Sequence, residues 1–364
     1  MLDLSRVLAG PLCTMMLGDL GAEVIKVERP NTGDETRGWG PPFDERGESA
    51  YYLSVNRNKK SVTADLDAAS DRAMILGLIG EAHIVVDNFR RGTLERRGID
   101  PARLVGNHPH LIWCTITGFG AESDRAGYDL VVQAESGWMA ITGEPNGDPL
   151  RVGVALADII AGKDATIAIL AALTARGLRA PSSLDPERRR IHISLSHSAT
   201  AALINVAQNS LITGQASRRW GNQHPNLVPY QLFSAADRPI IVAVGTDSQW
   251  IACARALGLD SLAADESLAK NAGRLAARTR IIDAMSKRLA DRNASEWIAI
   301  LGEKGVPCGL VKSVLEALRE VDTSPLTGIA PSVPGTVRIA PPRLDEHGDA
   351  IRRDGWRAFG VPRG

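Results

Sequence analysis

Short apolar runs alternate with longer amphipathic stretches through the first half of the chain. The runs read as strands and end at polar or glycine residues, as in "AEVIKVE", "SVTADL", "HIVVDNF" and "HLIWCTITGFG". Between them, "CTMMLGDLGA" and "SDRAMILGLIGEA" carry apolar residues at helical spacing, and "GTLERRGID" predicts a short helix closed by Gly98. Strands that alternate with helices predict an α/β fold with a Rossmann-like, doubly wound parallel sheet.

The pattern changes after residue 227. "RPIIVAVG" predicts a strand, helices follow at about 248–257, 273–290 and 294–304, and "VPCGLV" comes next. We therefore expect a large domain over 1–227, a smaller α+β domain over 228–322, and a C-terminal segment, 323–364, that returns to the large domain. In that segment "GTVRIA" predicts a short strand, and 177–190 predicts a polar loop before the strand "IHISLS".

The most apolar stretch, "VGVALADIIAGKDATIAILAAL", carries a carboxylate near its start. Asp158 stands where a long helix begins. One interpretation is a helix N-cap, because Asp side chains accept hydrogen bonds from the first N–H groups of a helix. The other is a functional group whose anionic form the helix dipole favours. The segment alone leaves both open.

Composition excludes several classes of function. Lys plus Arg and Asp plus Glu number 42 each, which argues against a nucleic-acid-binding role. The four cysteines lack paired spacing, so neither a metal site nor a disulfide framework is expected. No apolar run is long enough to span a membrane, and the first residues lack the features of a signal peptide, so we expect a cytoplasmic protein. GxGxxG, P-loop, GxSxG and HExxH motifs are absent.

Cationic residues cluster after the predicted strands. Ligands of open α/β sheets bind beyond the carboxyl ends of the strands, and arginine suits phosphate oxygens. The sequence therefore predicts a phosphate-bearing ligand, although any one of these residues alone would read as a surface charge. The residues are Arg37, Lys59, Lys60, Arg90, Arg91, Arg96 and Arg97.

The motifs, taken in order, resemble the class III coenzyme A transferases, the CaiB/BaiF group. They are "LDLSRVLAGPLCTMMLGDLGAEVIKVERP", "GDETRGWGPPF", "YYLSVNRNKKS", "VVDNFRRGTLERRG", "RAGYDLVVQAESG", "TGEPNGDPLRVGVALAD" and "RWGNQHPNLVPYQLF". The resemblance covers nearly the whole chain and is strongest to the branch that moves CoA from succinyl-CoA to dicarboxylates such as glutarate. The chain departs from the family in starting inside the first strand and in the loop "PSSLDPERRR".

The resemblance implies that Asp158 is a covalent nucleophile. It would attack an acyl-CoA donor, form a mixed anhydride and then an aspartyl-CoA thioester, and pass CoA to a carboxylic acid acceptor. A carboxylate that is already ionised near pH 7 needs no general base. CoA and acyl-CoA would be substrates, with no tightly bound cofactor and no metal. The family also implies a homodimer whose two chains interlock.

The same resemblance implies further site residues. Arg37 matches a CoA-contacting arginine, and Arg96 a cation near the nucleotide phosphates. Asn88 and Phe89 match the family's residues beside the CoA thiol arm, Val7 matches an apolar contact near the reactive end, and Tyr128 matches an active-site tyrosine. Val7 and Phe89 equally suit core packing. The loop "WGNQHP" supplies lid candidates, unless it is a plain surface turn; these are Gly221, Asn222, Gln223 and His224.

Two other functions compete with the transferase. An α-methylacyl-CoA racemase of the same superfamily needs an acid and a base on opposite faces of the α-carbon. That branch has His where this chain has Tyr128, and a neutral tyrosine is a poor proton relay at pH 7. A non-catalytic CoA-binding protein would keep the cationic clusters without needing the nucleophile. If the acceptor is a dicarboxylate, its second carboxylate needs a partner, for which Arg218 and Arg219 are candidates.

Overall fold

The chain forms two compact units. A computed structural model describes residues 1–177 and 185–360, so half of the predicted polar loop at 177–190, residues 178–184, lies outside the described residues. The first unit comprises 1–139, 151–215 and 321–364, and the second comprises 140–150 and 216–320.

A six-stranded sheet is the centre of the first unit. Its order is β3-β2-β1-β4-β5-β6, and every neighbouring pair is parallel. This confirms the doubly wound α/β sheet. The strands are β1 (Leu2–Asp3), β2 (Val24–Glu28), β3 (Lys59–Thr63), β4 (Ile84–Asp87), β5 (Ile112–Thr117) and β6 (Arg190–Ser194).

Helices cover both faces of this sheet. They are α1 (Ala9–Asp19), α2 (Ala50–Leu53), α3 (Ala69–Glu81), α4 (Pro101–Asn107), α5 (Asp129–Glu135), α6 (Trp138–Ile141), α7 (Leu156–Gly177), α8 (Leu195–Ala201), α9 (Ile204–Thr213) and α16 (Gly348–Asp354). Side chains alternate along a strand, so each face has its own core. Ile25 and Trp113 pack with α3, α4 and α16. Val24 and Cys114 pack on the other face with α1, α7 and α8.

The second unit has an antiparallel sheet of three strands in the order β7-β8-β9. The strands are β7 (Tyr230–Ser234), β8 (Pro239–Ala243) and β9 (Cys308–Leu310). The helices are α10 (Asp247–Ala256), α11 (Asp260–Ala263), α12 (Asn271–Ala276), α13 (Arg278–Leu289), α14 (Ala294–Glu303) and α15 (Val314–Leu318). Buried Trp250 and Trp297 belong to the core between helices and sheet.

Two sequence-based expectations are wrong in detail. The helix expected over 273–290 is two helices, α12 and α13, which meet at Ala277. Residues 335–340 form no strand, because their backbone bonds elsewhere: Arg338 and Ile339 donate their N–H groups to Oδ1 of Asn58. The described strands near the C-terminus are instead the two-residue β10 (Thr323–Ser324) and β11 (Gly328–Ile329).

None of the helices in the described part of the chain is both long enough and apolar enough to cross a bilayer.

Candidate active site

A cavity opens where the strand order of the first sheet reverses. β1 and β4 are neighbours there, and their following loops are tied together: the Asn88 side chain accepts from the backbone N–H of Arg6 (3.0 Å) and donates to its carbonyl (2.7 Å). Open α/β sheets bind ligands at this position. The cavity measures about 490 Å³, and five of the predicted site residues line it: Val7, Asn88, Phe89, Tyr128 and Asp158.

The predicted nucleophile, Asp158, lies in the first turn of α7. This helix has 22 residues, and its buried stripe consists mainly of small side chains, including Ala157, Ala161 and Ala165. Gly162 is one turn after Asp158 and therefore on the same face of the helix. A Cβ atom at Gly162 would lie 2.7 Å from the carbonyl oxygen of Ala9. The missing side chain thus allows α7 to approach the first turn of α1.

The N-cap interpretation of Asp158 is wrong, because another residue performs that task. The N–H of Ala157 donates to Oδ1 of Asp129 at 2.8 Å. Asp158 is already inside the helix, half-buried, with its side chain at the cavity. Its carboxylate is therefore not committed to capping the helix.

The structure opposes the expectation of an Asp158 carboxylate that is already ionised near pH 7. Burial, together with the nearby charge of Asp129, raises the pKa of Asp158 to about 7. Burial disfavours the charged form, and a neighbouring carboxylate does the same.

Val7 lines the same cavity in a backbone conformation that is rare for a β-branched residue. Its φ is 72°, in the left-handed region. The conformation is held by Asp34, whose two carboxylate oxygens each lie 3.2 Å from the N–H of Val7. Asp34 in turn pairs with the fully buried Lys26 at 3.0 Å. A buried ion pair thus fixes the loop between β1 and α1.

Arg37 lies away from the cavity. Its guanidinium donates to Glu28 (2.7 and 2.8 Å), to Glu48 (2.7 Å) and to the hydroxyl of Tyr52 (2.6 Å). Its side chain is only 9% exposed. These contacts support a structural role, and the CoA contact remains a prediction. Lys59 is similarly fully buried and pairs with Asp3 at 3.0 Å.

Other arginines line the cavity instead. Arg6, Arg91, Arg125 and Arg190 each pair with a carboxylate. For exposed Arg90, the described residues include no carboxylate within salt-bridge distance.

A second cavity lies beside the first. It measures about 390 Å³, and it shares Arg6 and Phe89 with the larger one. Arg97 lines this second cavity, whereas the predicted phosphate contact, Arg96, is exposed nearby and bonds to Thr93 at 3.4 Å.

The predicted lid residues belong to the second unit. Gly221 adopts a φ of 57°. Arg278 anchors the loop, because it donates to the carbonyls of His224 (3.0 Å) and Pro225 (3.1 Å) and to Oε1 of Gln223 (3.4 Å). Asn222 lies in the turn between them. The loop is therefore braced within its own unit, and its role as a lid remains a prediction.

Comparison with known proteins identifies the family of the chain. Residues 1–345 match the family described as CoA-transferase family III. The chain belongs to CoA-transferase family III. The resemblance of the motifs is confirmed, and the protein is an enzyme of the transferase class.

Individual members of CoA-transferase family III are similar over most of their length. Succinate–glutarate CoA-transferase of Agrobacterium fabrum is 40% identical over 323 residues, which cover 86% of this chain and 79% of that protein. Human succinyl-CoA:glutarate CoA-transferase is 41% identical, over 88% of this chain and 72% of that protein. The crystal structure of a CaiB/BaiF family protein from Brucella suis superimposes with a TM-score of 0.83 at 36% identity, covering 97% of each chain.

Three residues that organise this candidate site do not stand out in the sequence. From the sequence, Asp129 is marked only by its place after Tyr128 in the motif "RAGYDLVVQAESG", and Asp34 and Lys26 carry no signal of their own as site residues. The "YD" step gave a weak signal for Asp129. A lysine inside an otherwise apolar strand could have indicated the buried pair, because an unpaired buried charge is costly.

Proposed function

We propose that this protein transfers CoA from succinyl-CoA to a short dicarboxylate such as glutarate, with Asp158 as the nucleophile. One observation carries the proposal: the carboxylate of Asp158 is half-buried at the cavity beside β1 and β4, and it does not cap the helix. Two relatives of about 40% identity that are named for succinate or succinyl-CoA and glutarate support the choice of substrates.

The first half-reaction loads CoA onto the enzyme. A carboxylate oxygen of Asp158 attacks the thioester carbonyl of succinyl-CoA, and the C–S bond breaks to give a mixed anhydride and CoA thiolate. The thiolate then attacks the side-chain carbonyl carbon of Asp158. Succinate leaves with the anhydride oxygen, and an aspartyl-CoA thioester remains.

The second half-reaction runs in the opposite sense. The acceptor carboxylate attacks the aspartyl thioester, which releases CoA thiolate and forms a new mixed anhydride. The thiolate attacks the acceptor's acyl carbon, so the acceptor leaves as its CoA thioester and Asp158 is restored as a carboxylate. No proton is consumed over the cycle, and an aspartate suffices without a general base once it is ionised.

The tetrahedral intermediates need hydrogen-bond donors for their oxyanions. The first turn of α1 is a candidate, because Leu8 and Ala9 line the cavity with Asp158 and no side chain caps this helix. Gly162 keeps α7 close to the same turn. Backbone N–H groups at a helix start stabilise developing negative charge.

Acyl-CoA is long enough to occupy both cavities. The thioester end would reach Asp158, and the nucleotide end would lie towards the second cavity, past the shared Arg6 and Phe89. Arg90 and Arg97 are the arginines that we expect to meet phosphate groups, since arginine forks match phosphate oxygens.

A panel of acceptors tests this function. With succinyl-CoA as donor, we expect kcat/KM for glutarate to exceed that for valerate by at least about a hundredfold, since a site built for a second carboxylate leaves its partner unpaired with a monocarboxylate. Mass spectrometry of the CoA products is the readout. Equal rates with valerate would contradict the dicarboxylate assignment, and α-proton exchange without CoA transfer would favour the racemase.

We also propose that the enzyme works as a homodimer. Large apolar side chains on α9 are exposed in the single chain: Ile204, Leu211 and Ile212 are each more than 70% exposed. Exposed apolar groups clustered on one helix are typical of a protein interface. Light scattering in solution distinguishes a dimer, as proposed, from a monomer.

A further inference from the structure

The helix that carries Asp158 is fixed at its start by a residue from another element. Asp129, the first residue of α5, accepts the N–H of Ala157 at 2.8 Å. Ala157 immediately precedes Asp158. The hydrogen bond from Asp129 therefore fixes the backbone directly before Asp158. It also satisfies one of the N–H groups in the first turn of α7 that have no partner within the helix.

Asp129 is itself held in one orientation. Nε2 of Gln133, one turn further along α5, donates to Oδ2 of Asp129 at 2.7 Å. Gln133 is fully buried, and its other contacts tie down the segment before α7: Oε1 accepts the N–H of Val152 at 2.9 Å and Nε2 lies 3.3 Å from the carbonyl of Val154. Each carboxylate oxygen of Asp129 thus accepts one hydrogen bond, Oδ2 from Gln133 and Oδ1 from Ala157 of α7.

Asp129 also places a second carboxylate beside Asp158. Burial is the main cause that raises the pKa of Asp158 to about 7, and the charge of Asp129 is the second cause. Tyr51, on α2, is affected by the charges of both carboxylates. Burial is the largest cause of its raised pKa, and the charges of Asp158, Asp129 and Asp34 add to it, so that the pKa of Tyr51 is about 12. The phenol of Tyr51 stays neutral through the working pH range. Tyr51 therefore does not contribute to a titration near pH 7, which is where the pKa of Asp158 lies.

We infer that Asp129 is a positioning residue for CoA transfer: it holds the first turn of α7 so that Asp158 faces the cavity, and it places a negative charge next to the nucleophile. This inference rests on the proposed function of Asp158. The two consequences oppose each other. The cap favours productive geometry, while the negative charge of Asp129 disfavours the ionised form of Asp158.

The two contributions can be separated by substitution. Asp129→Asn removes the negative charge and places a second side-chain amide next to the amide of Gln133. Its expected effects are a fall in limiting kcat of at least about tenfold, because small displacements of a reacting group are costly, and a shift of the acidic limb of kcat/KM to lower pH by about one unit. The sign follows from the charge: without Asp129, the pKa of Asp158 falls, so Asp158 ionises at lower pH.

Asp129→Glu keeps the charge and lengthens the side chain. The acidic limb should stay near pH 7, while kcat falls. Asp265→Asn is the matched control, because Asp265 also caps a helical turn, through the N–H of Ser267 at 3.0 Å, but lies in the second unit. Its kcat and pH profile should equal those of the wild type.

The assay is the pH profile of succinyl-CoA:glutarate transfer, with mass-spectrometric detection of the covalent adduct at Asp158 in the wild type. Without an adduct at Asp158, the proposed function fails. If the adduct forms but both Asp129 variants match Asp265→Asn in kcat and pH profile, the inference about Asp129 is overturned. A tenfold loss with an unshifted acidic limb in Asp129→Asn would also overturn it, since a purely structural cap predicts that result.

Discussion

At the residue scale, Asp158 lies half-buried in the first turn of α7, with its side chain at the cavity. A carboxylate at the start of an apolar helix is visible in the sequence. The pKa of Asp158 depends on burial and on Asp129, which lies far away in sequence and is brought close by folding. Likewise, Val7 and Asn88 could be placed in the site from the motifs, whereas the Asp34–Lys26 pair that fixes Val7 could not.

Arg37 and Arg90 should respond differently to truncation. Arg37→Ala removes the cation that pairs with the buried Glu28, so we expect a loss of about 3–5 kcal/mol in the free energy of unfolding. Arg90→Ala removes an exposed cation from the cavity, so we expect KM for acyl-CoA to rise about tenfold with stability unchanged. Denaturant unfolding and initial-rate kinetics measure the two effects.

The opposite effects on stability and on KM would indicate that Arg37 contacts CoA. If Arg37→Ala folds with full stability and raises KM for acyl-CoA, the structural role of Arg37 is wrong. An unchanged KM in Arg90→Ala would remove Arg90 from the phosphate site.

At the scale of elements, the contact between α1 and α7 determines where the nucleophile stands. In Gly162→Ala the new Cβ would lie 2.7 Å from the backbone carbonyl of Ala9 and 3.3 Å from the side chain of Leu12. The helices must separate, so we expect a loss of about 1–3 kcal/mol in stability and at least a tenfold fall in kcat. KM for acyl-CoA should change less, because the cations that line the cavity are on other elements.

Gly77→Ala is the matched control for that substitution. Gly77 lies within α3 and is exposed, and a Cβ added there would meet no described atom of another element within 4 Å. The same change there should stabilise the protein by about 0.5–1 kcal/mol and leave kcat unaltered. Wild-type kcat in Gly162→Ala would show that the close approach of α1 and α7 does not position Asp158.

Strands and helices with a strong periodic pattern were predictable, and those set by distant contacts were not. β2, β4 and β5 follow from their apolar runs. "GTVRIA" has the composition of a strand, yet Asn58 binds its N–H groups and no neighbouring strand among the described residues pairs with it. Local pattern cannot reveal such a competitor.

At the scale of the whole molecule, the alternation of strands and helices was enough to predict the parallel sheet. The division into units was harder to predict. Residues 140–150 belong with the second unit, although they lie between two segments of the first. Within that unit, Arg219 donates to the carbonyls of Glu144 (3.1 Å) and Gly147 (2.8 Å). Contacts of this kind join segments far apart in sequence and leave no periodic signal.

The central claim is that Asp158 carries the acyl group and then CoA. The most direct measurement is to incubate the enzyme with succinyl-CoA, quench with hydroxylamine, and locate the resulting hydroxamate by peptide mass spectrometry. We expect it at Asp158 in the wild type and in Asp164→Asn, a control carboxylate on α7 that accepts from Ser198 at 2.7 Å. Asp158→Asn should show neither hydroxamate nor transfer. A hydroxamate at another residue, or full transfer activity in Asp158→Asn, would contradict the account.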